Sequence, residues 1–303
     1  MKTVKALKKM AADWQWYVLL APAVIYFAVF CYGPMYGVQI AFRDFKASRG
    51  IWGSPWVGFD QFMRFFNAYY FWDLIRNTLV ISVYGLIVGF PIPIILALCV
   101  NELKEGKFKK TVQTVTYAPH FISTVVFCGM IIAFLSPTYG VINKVIMGLG
   151  GQKTAFLSEP GLFPSIYVWS GVWQNAGWGS IIYLATLSGI DVALYEAATI
   201  DGATRFQKMK YINIPFLIPI IVVLLILNSG QILSVGYEKA LLLQNNLNTK
   251  TSEVISTYVY KAGLLQAQYS FSTAVGLFNS VINLIIIFTV NKIARNVSEN
   301  SLW

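Results

Sequence analysis

Hydrophobic positions in this chain come in long blocks, not in the short alternations of water-soluble strands. Six apolar runs stand out, at roughly 17–42, 77–100, 113–136, 164–189, 215–235 and 271–291. A helix rises about 1.5 Å per residue and a bilayer's hydrocarbon core is about 30 Å thick, so runs of about 20 residues predict membrane-spanning helices. The first run would reach about 39 Å as a helix. A secretory signal has an apolar region of only about 7–15 residues, so this run reads as a span and not as a cleaved leader. Pro91 and Pro93 interrupt the second run; membrane helices tolerate such kinks where neighbours satisfy the freed backbone groups. Gly85 and Gly89 in the same run permit close helix packing. The expected fold is all-α and polytopic, with about six transmembrane helices. A terminal segment (1–16) and a tail (295–303) flank one transmembrane domain (17–294) that includes a patterned loop at 190–214.

Composition strengthens this reading. The chain is 56% hydrophobic and 12% charged, against about 25% charged residues in soluble domains. The formal charge of +10 would also suit a nucleic-acid protein. Here the basic residues sit between apolar runs, which fits a lipid surface, and no nucleic-acid partner is expected. Segments 1–16, 101–112, 190–214 and 292–303 carry 13 basic residues in 65 positions; segments 43–76, 137–163 and 236–270 carry 10 in 96. The positive-inside rule therefore places both termini and the 190–214 loop in the cytoplasm. Arg43, Lys46 and Arg49 run against that bias. Trp14, Trp16 and Tyr17 stand where an aromatic belt would, and a short helix lying on the membrane is expected near Trp56 to Phe66.

Candidate chemistry is sparse. Cys31, Cys99 and Cys128 each fall in an apolar run without a partner at metal or redox spacing, and His120 is the single histidine. GLGGQKT at 148–154 misses the phosphate-loop pattern because Gln152 intervenes. No paired-carboxylate, zinc or nucleophile constellation appears, so a non-catalytic role is expected.

The loop IDVALYEAATIDGATRFQKMKYINI, at 190–214, is the most informative stretch. Tyr195, Ala198, Gly202, Phe206 and Met209 recur at steps of three or four, which predicts a thin apolar stripe on one helical face. Asp191, Glu196 and Asp201 precede Arg205, Lys208 and Lys210, an order that suits the helix dipole. Asp201-Gly202 signals a turn, so two short helices with a bend are expected. Pro215 suits the first turn of the next span. Such an element can lie in the lipid interface or dock on a partner; a small stripe, built from Ala and Gly as much as from Phe and Met, favours close protein contact.

Glu196-Ala197-Ala198, Gly202, Ile212 and Pro215 stand at the spacing EAA-x3-G-x9-I-x-[LI]-P. This resembles the EAA loop of permease subunits of type I bacterial ABC importers, with Ile214 where leucine is usual. The Asp201 to Ala203 DGA is common among sugar importers. VGFDQF at 57–62 resembles an outer-loop motif of the carbohydrate subgroup. YAPHFIS at 117–123 and SEVISTYVYKAGL at 252–264 are similar to the branch handling oligosaccharides and polysaccharide fragments. The resemblance implies a type I importer permease fold in a bacterial cell membrane. It also implies a second homologous permease, two cytoplasmic ATPases and an extracellular solute-binding protein as partners. No cofactor is expected on this chain, ATP and Mg being used by the ATPase. Carried over, Glu196 makes polar contacts with the ATPase, Ala197 and Ala198 are small so that the helix can seat, and Gly202 allows the bend.

Polar residues inside spans are costly. Trp173, Gln174 and Asn175 in the fourth, Asn228 and Gln231 in the fifth, and Asn279 and Asn283 in the sixth are candidates to line a solute path, with interhelical bonding as the plainer use of each. Two other classes remain open: a carrier or channel working without an ATPase, for which the patterned loop has no evident purpose, and a membrane enzyme or scaffold.

Overall fold

A computed structural model describes residues 13–297 of the chain. The lysine-rich start and the end of the tail lie outside the described residues. Helices dominate the described residues, which form no strand beyond one isolated bridge between Arg43 and Trp56. Among the described residues four continuous helices are long and apolar enough to cross a membrane, and two bent helix pairs, each taken as one span, bring the number to six.

Helix α1 (Trp14–Phe42) is the first of these. A π-turn at Phe27–Tyr32 and a tighter 3-10 turn at Tyr36–Phe42 break its regularity. Its apolar side chains are almost all exposed and only Ala41 is buried, so most of its surface is left for lipid or another membrane subunit. Arg43 follows and is held locally: its guanidinium donates to Ser54 O at 2.8 Å and lies over the Trp52 and Trp56 rings. That contact gives a structural reason for a basic residue on the side where the charge bias disfavours one. The expected surface helix is α2 (Asp60–Phe66). Its Phe65 is buried with Leu74, Ile255, Phe271 and Val275, so α2 is docked on the bundle.

Helix α3 (Phe71–Asn101) stays continuous through Pro91 because Phe90 keeps helical dihedrals and the proline opens a new first turn. Gly85 and Gly89 face Val168 and Val172 of α7 (Phe163–Leu187), as their spacing predicted.

The third expected span is not one helix. Helix α4 (Lys107–Tyr117) tightens into a 3-10 turn over Ala118–Phe121, and α5 (Thr124–Phe134) leaves at 100°. Pro119 cannot donate to the preceding turn. Ile122 is extended, and Ser123 then caps α5 by accepting from Val126 N. Short helix α6 (Val141–Gly148) follows. Buried Asn143 bonds Ser136 O and both backbone groups of Thr154, which closes the GLGGQKT segment into a loop.

The fifth span also departs from expectation. Helix α9 runs over Arg205–Ser229, beginning inside the patterned loop and ending before the predicted limit at 235. Residues 230–234 turn instead, and Asn283 clamps them by accepting from Leu233 N and donating to Ser234 Oγ. Helix α10 (Tyr237–Leu243) follows, then α11 (Ile255–Tyr260), continued by a π-turn at Lys261–Leu265. Helix α12 (Tyr269–Val297) is the last, longer than predicted. One core joins α3, α5, α7 and α10 through Ile81, Phe127, Val168 and Ala240. Another closes the end bearing the patterned loop, through Ala97, Leu98, Tyr183, Leu187 and Leu217.

Candidate functional site

Two features stand out: a rigid exposed loop at one end and a cavity inside the bundle. The loop opens with Asp191, whose carboxylate caps α8 (Val192–Ile200) by accepting from Ala193 N at 2.9 Å. Helix α8 stops at a Gly cap. Gly202 has φ of +74°, Ala203 N–H bonds Ala198 O and Gly202 N–H bonds Thr199 O. That left-handed turn favours glycine. Thr204 then starts α9 with a capping box: Gln207 N donates to Thr204 Oγ1 while Thr204 N donates to Gln207 Oε1. A stop signal and a start signal therefore stand side by side. Lys208 Nζ donates across the bend to Thr199 Oγ1 at 2.6 Å.

The expected second short helix is instead the start of α9. It passes into the span through a π-turn at Met209–Asn213, where Ile214 N–H reaches Met209 O. Pro215 sits early in the regular stretch that follows, so the wider turn absorbs the break a proline would otherwise make. The predicted stripe splits. Tyr195 and Met209 pack on the core, as does Ile212 outside the stripe, whereas Phe206 is exposed. Ile200, Val192 and Leu194 are exposed as well. Glu196, Ala197, Asp201, Gly202 and Pro215 are exposed, and Ala198 and Ile212 half-buried. Among the described residues the Glu196 side chain makes no ion pair or hydrogen bond.

The cavity, of ≈ 590 Å³, lies between α3, α7, α9 and the segment around 231–239. Gln174, Asn175, Asn228 and Gln231 line it, and the other three path candidates do not. Trp173 stacks on Phe127 with centroids 5.9 Å apart. Asn283 is taken up by the turn at 230–234. Asn279 lines a separate space between α11 and α12. Gln174 donates to Ile122 O at 3.0 Å, serving the break between α4 and α5. Asn175 faces His120 Nδ1 at 3.0 Å, and the His120 ring stacks on Trp178.

A family model described as "Binding-protein-dependent transport system inner membrane component" matches residues 89–299. The chain belongs to this family. Among its relatives, Protein LplB of Bacillus subtilis (strain 168) is 43% identical, over 99% of this chain and 95% of that protein. The polygalacturonan/rhamnogalacturonan transport system permease protein YteP of the same organism is 42% identical, over 100% and 94%. A solved bacterial ABC transporter involved in import of the acidic polysaccharide alginate superposes with a TM-score of 0.89 at 42% identity, covering 97% of this chain and 99% of that one. The exposed loop and most of the cavity wall thus lie inside a transport-system permease domain, in a multi-pass membrane protein.

Sequence reasoning missed the charged residue among those lining this permease's cavity, Lys239. Its Nζ donates to Tyr167 O at 2.7 Å and lies over the Tyr167 and Phe127 rings. Burial lowers this amine to about 8, an effect opposed by the adjacent Cys128. A single lysine in the apolar helix YEKALLL was the signal that could have found it.

Proposed function

We propose that this chain is the transmembrane permease subunit of an ATP-driven importer of sugars or oligosaccharides. It supplies half of the translocation pathway and no chemistry of its own; ATP and Mg are used by a separate ATPase. The observation that carries the reading is the pre-shaped loop at 190–214. A membrane protein with no mechanical partner has little reason to present Glu196 unpaired beside exposed Ile200 and Phe206 on two helices locked by caps. Seated in a cleft on a cytoplasmic ATPase, those groups gain partners, and α9 carries the ATPase's closure into the bundle as one continuous rod.

The solute class comes from the relatives: a polygalacturonan/rhamnogalacturonan permease aligns with 100% of this chain and an alginate transporter with 97%. A related transporter is solved in complex with a pentasaccharide-bound periplasmic protein, which supports a solute-binding protein as partner here. A second homologous permease and two ATPases complete the assembly, with both termini in the cytoplasm.

Affinity purification of the tagged chain from native membranes in mild detergent, with mass spectrometry of what comes along, tests this. An ATPase and a second permease are expected, and Glu196→Ala or Gly202→Val is expected to insert normally yet lose the ATPase. Repeated recovery of the folded chain alone, with transport in liposomes lacking any ATPase, would sink the importer reading in favour of a self-sufficient carrier.

A further inference from the structure

Among the described residues that line the cavity, Lys239 is the only one with an ionised side chain; the rest are apolar, glycine, hydroxyl or amide. None of the three ion pairs among the described residues includes it. Its ammonium has one protein acceptor, Tyr167 O, and two aromatic faces, which leaves donor capacity unused in a partly buried place. Withdrawing an ammonium from water without an anion is costly, and truncating it to an apolar chain would remove that cost. A purely structural tie between α10 and α7 needs only a neutral donor. The approach to the ammonium is also kept clear: a Cβ placed on Gly171 would come within 3.1 Å of Nζ.

We propose that Lys239 reads a carboxylate on the passing solute, so that this cavity selects acidic, uronate-containing oligosaccharides over neutral ones. The inference rests on the import reading above. Coulomb attraction at such a site is stronger than in water because the walls are of low dielectric. The amides of Asn175, Asn228 and Gln231 serve the sugar hydroxyls, which acidic and neutral chains share; the ammonium alone distinguishes them. Lys239 is fixed at the junction of α10, α5 and α7, so its position follows the bundle as the helices move.

The test uses the complete importer, with its binding protein, in proteoliposomes. Uptake of tetragalacturonate is compared with uptake of a neutral tetrasaccharide for the wild type, Lys239→Gln and Lys239→Arg, alongside ATP hydrolysis without solute. Gln keeps a donor for Tyr167 O and removes the charge; Arg keeps the charge. The expected result is a loss of tetragalacturonate uptake of about tenfold or more in Lys239→Gln, the scale of one charge-assisted hydrogen bond. Lys239→Arg should recover most of it, with solute-free hydrolysis unchanged. Wild-type uptake of tetragalacturonate by Lys239→Gln overturns the proposal. Equal loss in both variants together with altered solute-free hydrolysis assigns Lys239 to structure and overturns it as well. A wild type that imports only the neutral sugar overturns the proposal and leaves sugar import standing. A wild type that moves neither sugar removes both readings.

Discussion

The Tyr195 hydroxyl donates to Asn213 Oδ1 at 2.6 Å, joining the first helix of the exposed loop to the base of the span that follows. Asn213 is fully buried, ends the π-turn before Pro215, and its Nδ2 has no partner. The phenol therefore satisfies the one oxygen that most needs a donor and sets the angle between α8 and α9. Tyr195→Phe leaves that oxygen buried and unpaired, at a cost of about 1–3 kcal/mol. The purified chain should melt at lower temperature, and the assembled importer should move less solute per ATP. Removing both polar groups, with Tyr195→Phe and Asn213→Leu together, should recover part of the stability.

Gly202 tests the bend itself. A side chain at φ of +74° is strained, so Gly202→Ala costs about 1 kcal/mol in the cap. No neighbour stands within 4 Å of a Cβ there, so the substitution creates no clash inside the chain. The global melting transition should hardly move. Retention of the ATPase on an affinity column should weaken, and unchanged retention would show that the partner does not need this turn.

The sequence revealed those features that rest on local chemistry. Block hydrophobicity predicted the spans, and Asp201-Gly202 marked the bend because only a few residue types tolerate that turn. Gly85 and Gly89 predicted close packing and found Val168 and Val172. What failed depended on tertiary contacts. An apolar run reads the same whether straight or bent by 100° at Ile122–Ser123, because hydropathy is blind to the break that Pro119 begins and Ser123 completes. Phe206 and Tyr195 share a helical period on paper, but a left-handed residue between them rotates one out of register with the other. Asn283 and Gln231 looked alike as amides inside spans. Only the fold shows that one clamps a turn and the other lines the cavity.

Gly177 is where α7 and the end of α4 meet backbone to backbone. A Cβ on Gly177 would stand 1.9 Å from Thr116 O, a distance no side-chain adjustment can relieve. Gly177→Ala must push α4 away from α7, at a cost typical of overpacking, about 1–3 kcal/mol or more. Gly129 on α5 has open space where a methyl would stand, with nothing within 4 Å, so Gly129→Ala is expected to be neutral or mildly stabilising. Thermal melts of the two variants in the same detergent check the contrast. Equal behaviour would mean that α4 and α7 are not in close contact.

Gln174 has two claims on it: it lines the cavity, and it donates to Ile122 O at the break between α4 and α5. A carbonyl freed from a helix inside a membrane protein must find a donor, because the hydrocarbon around it offers none. Gln174 supplies that donor from the facing helix, which makes it a strut before it is a solute contact. Gln174→Leu should therefore lower the melting temperature of the purified chain, by the amount expected for one unpaired buried acceptor, about 1–3 kcal/mol. Uptake should fall with it, since Gln174 ties the break between α4 and α5 to α7, and α7 forms part of the cavity wall. Gln174→Glu replaces the donor with a second acceptor facing Ile122 O and should be worse than leucine in both measurements. A leucine variant that melts like the wild type yet no longer transports would reverse the order of these roles and place the amide on the solute.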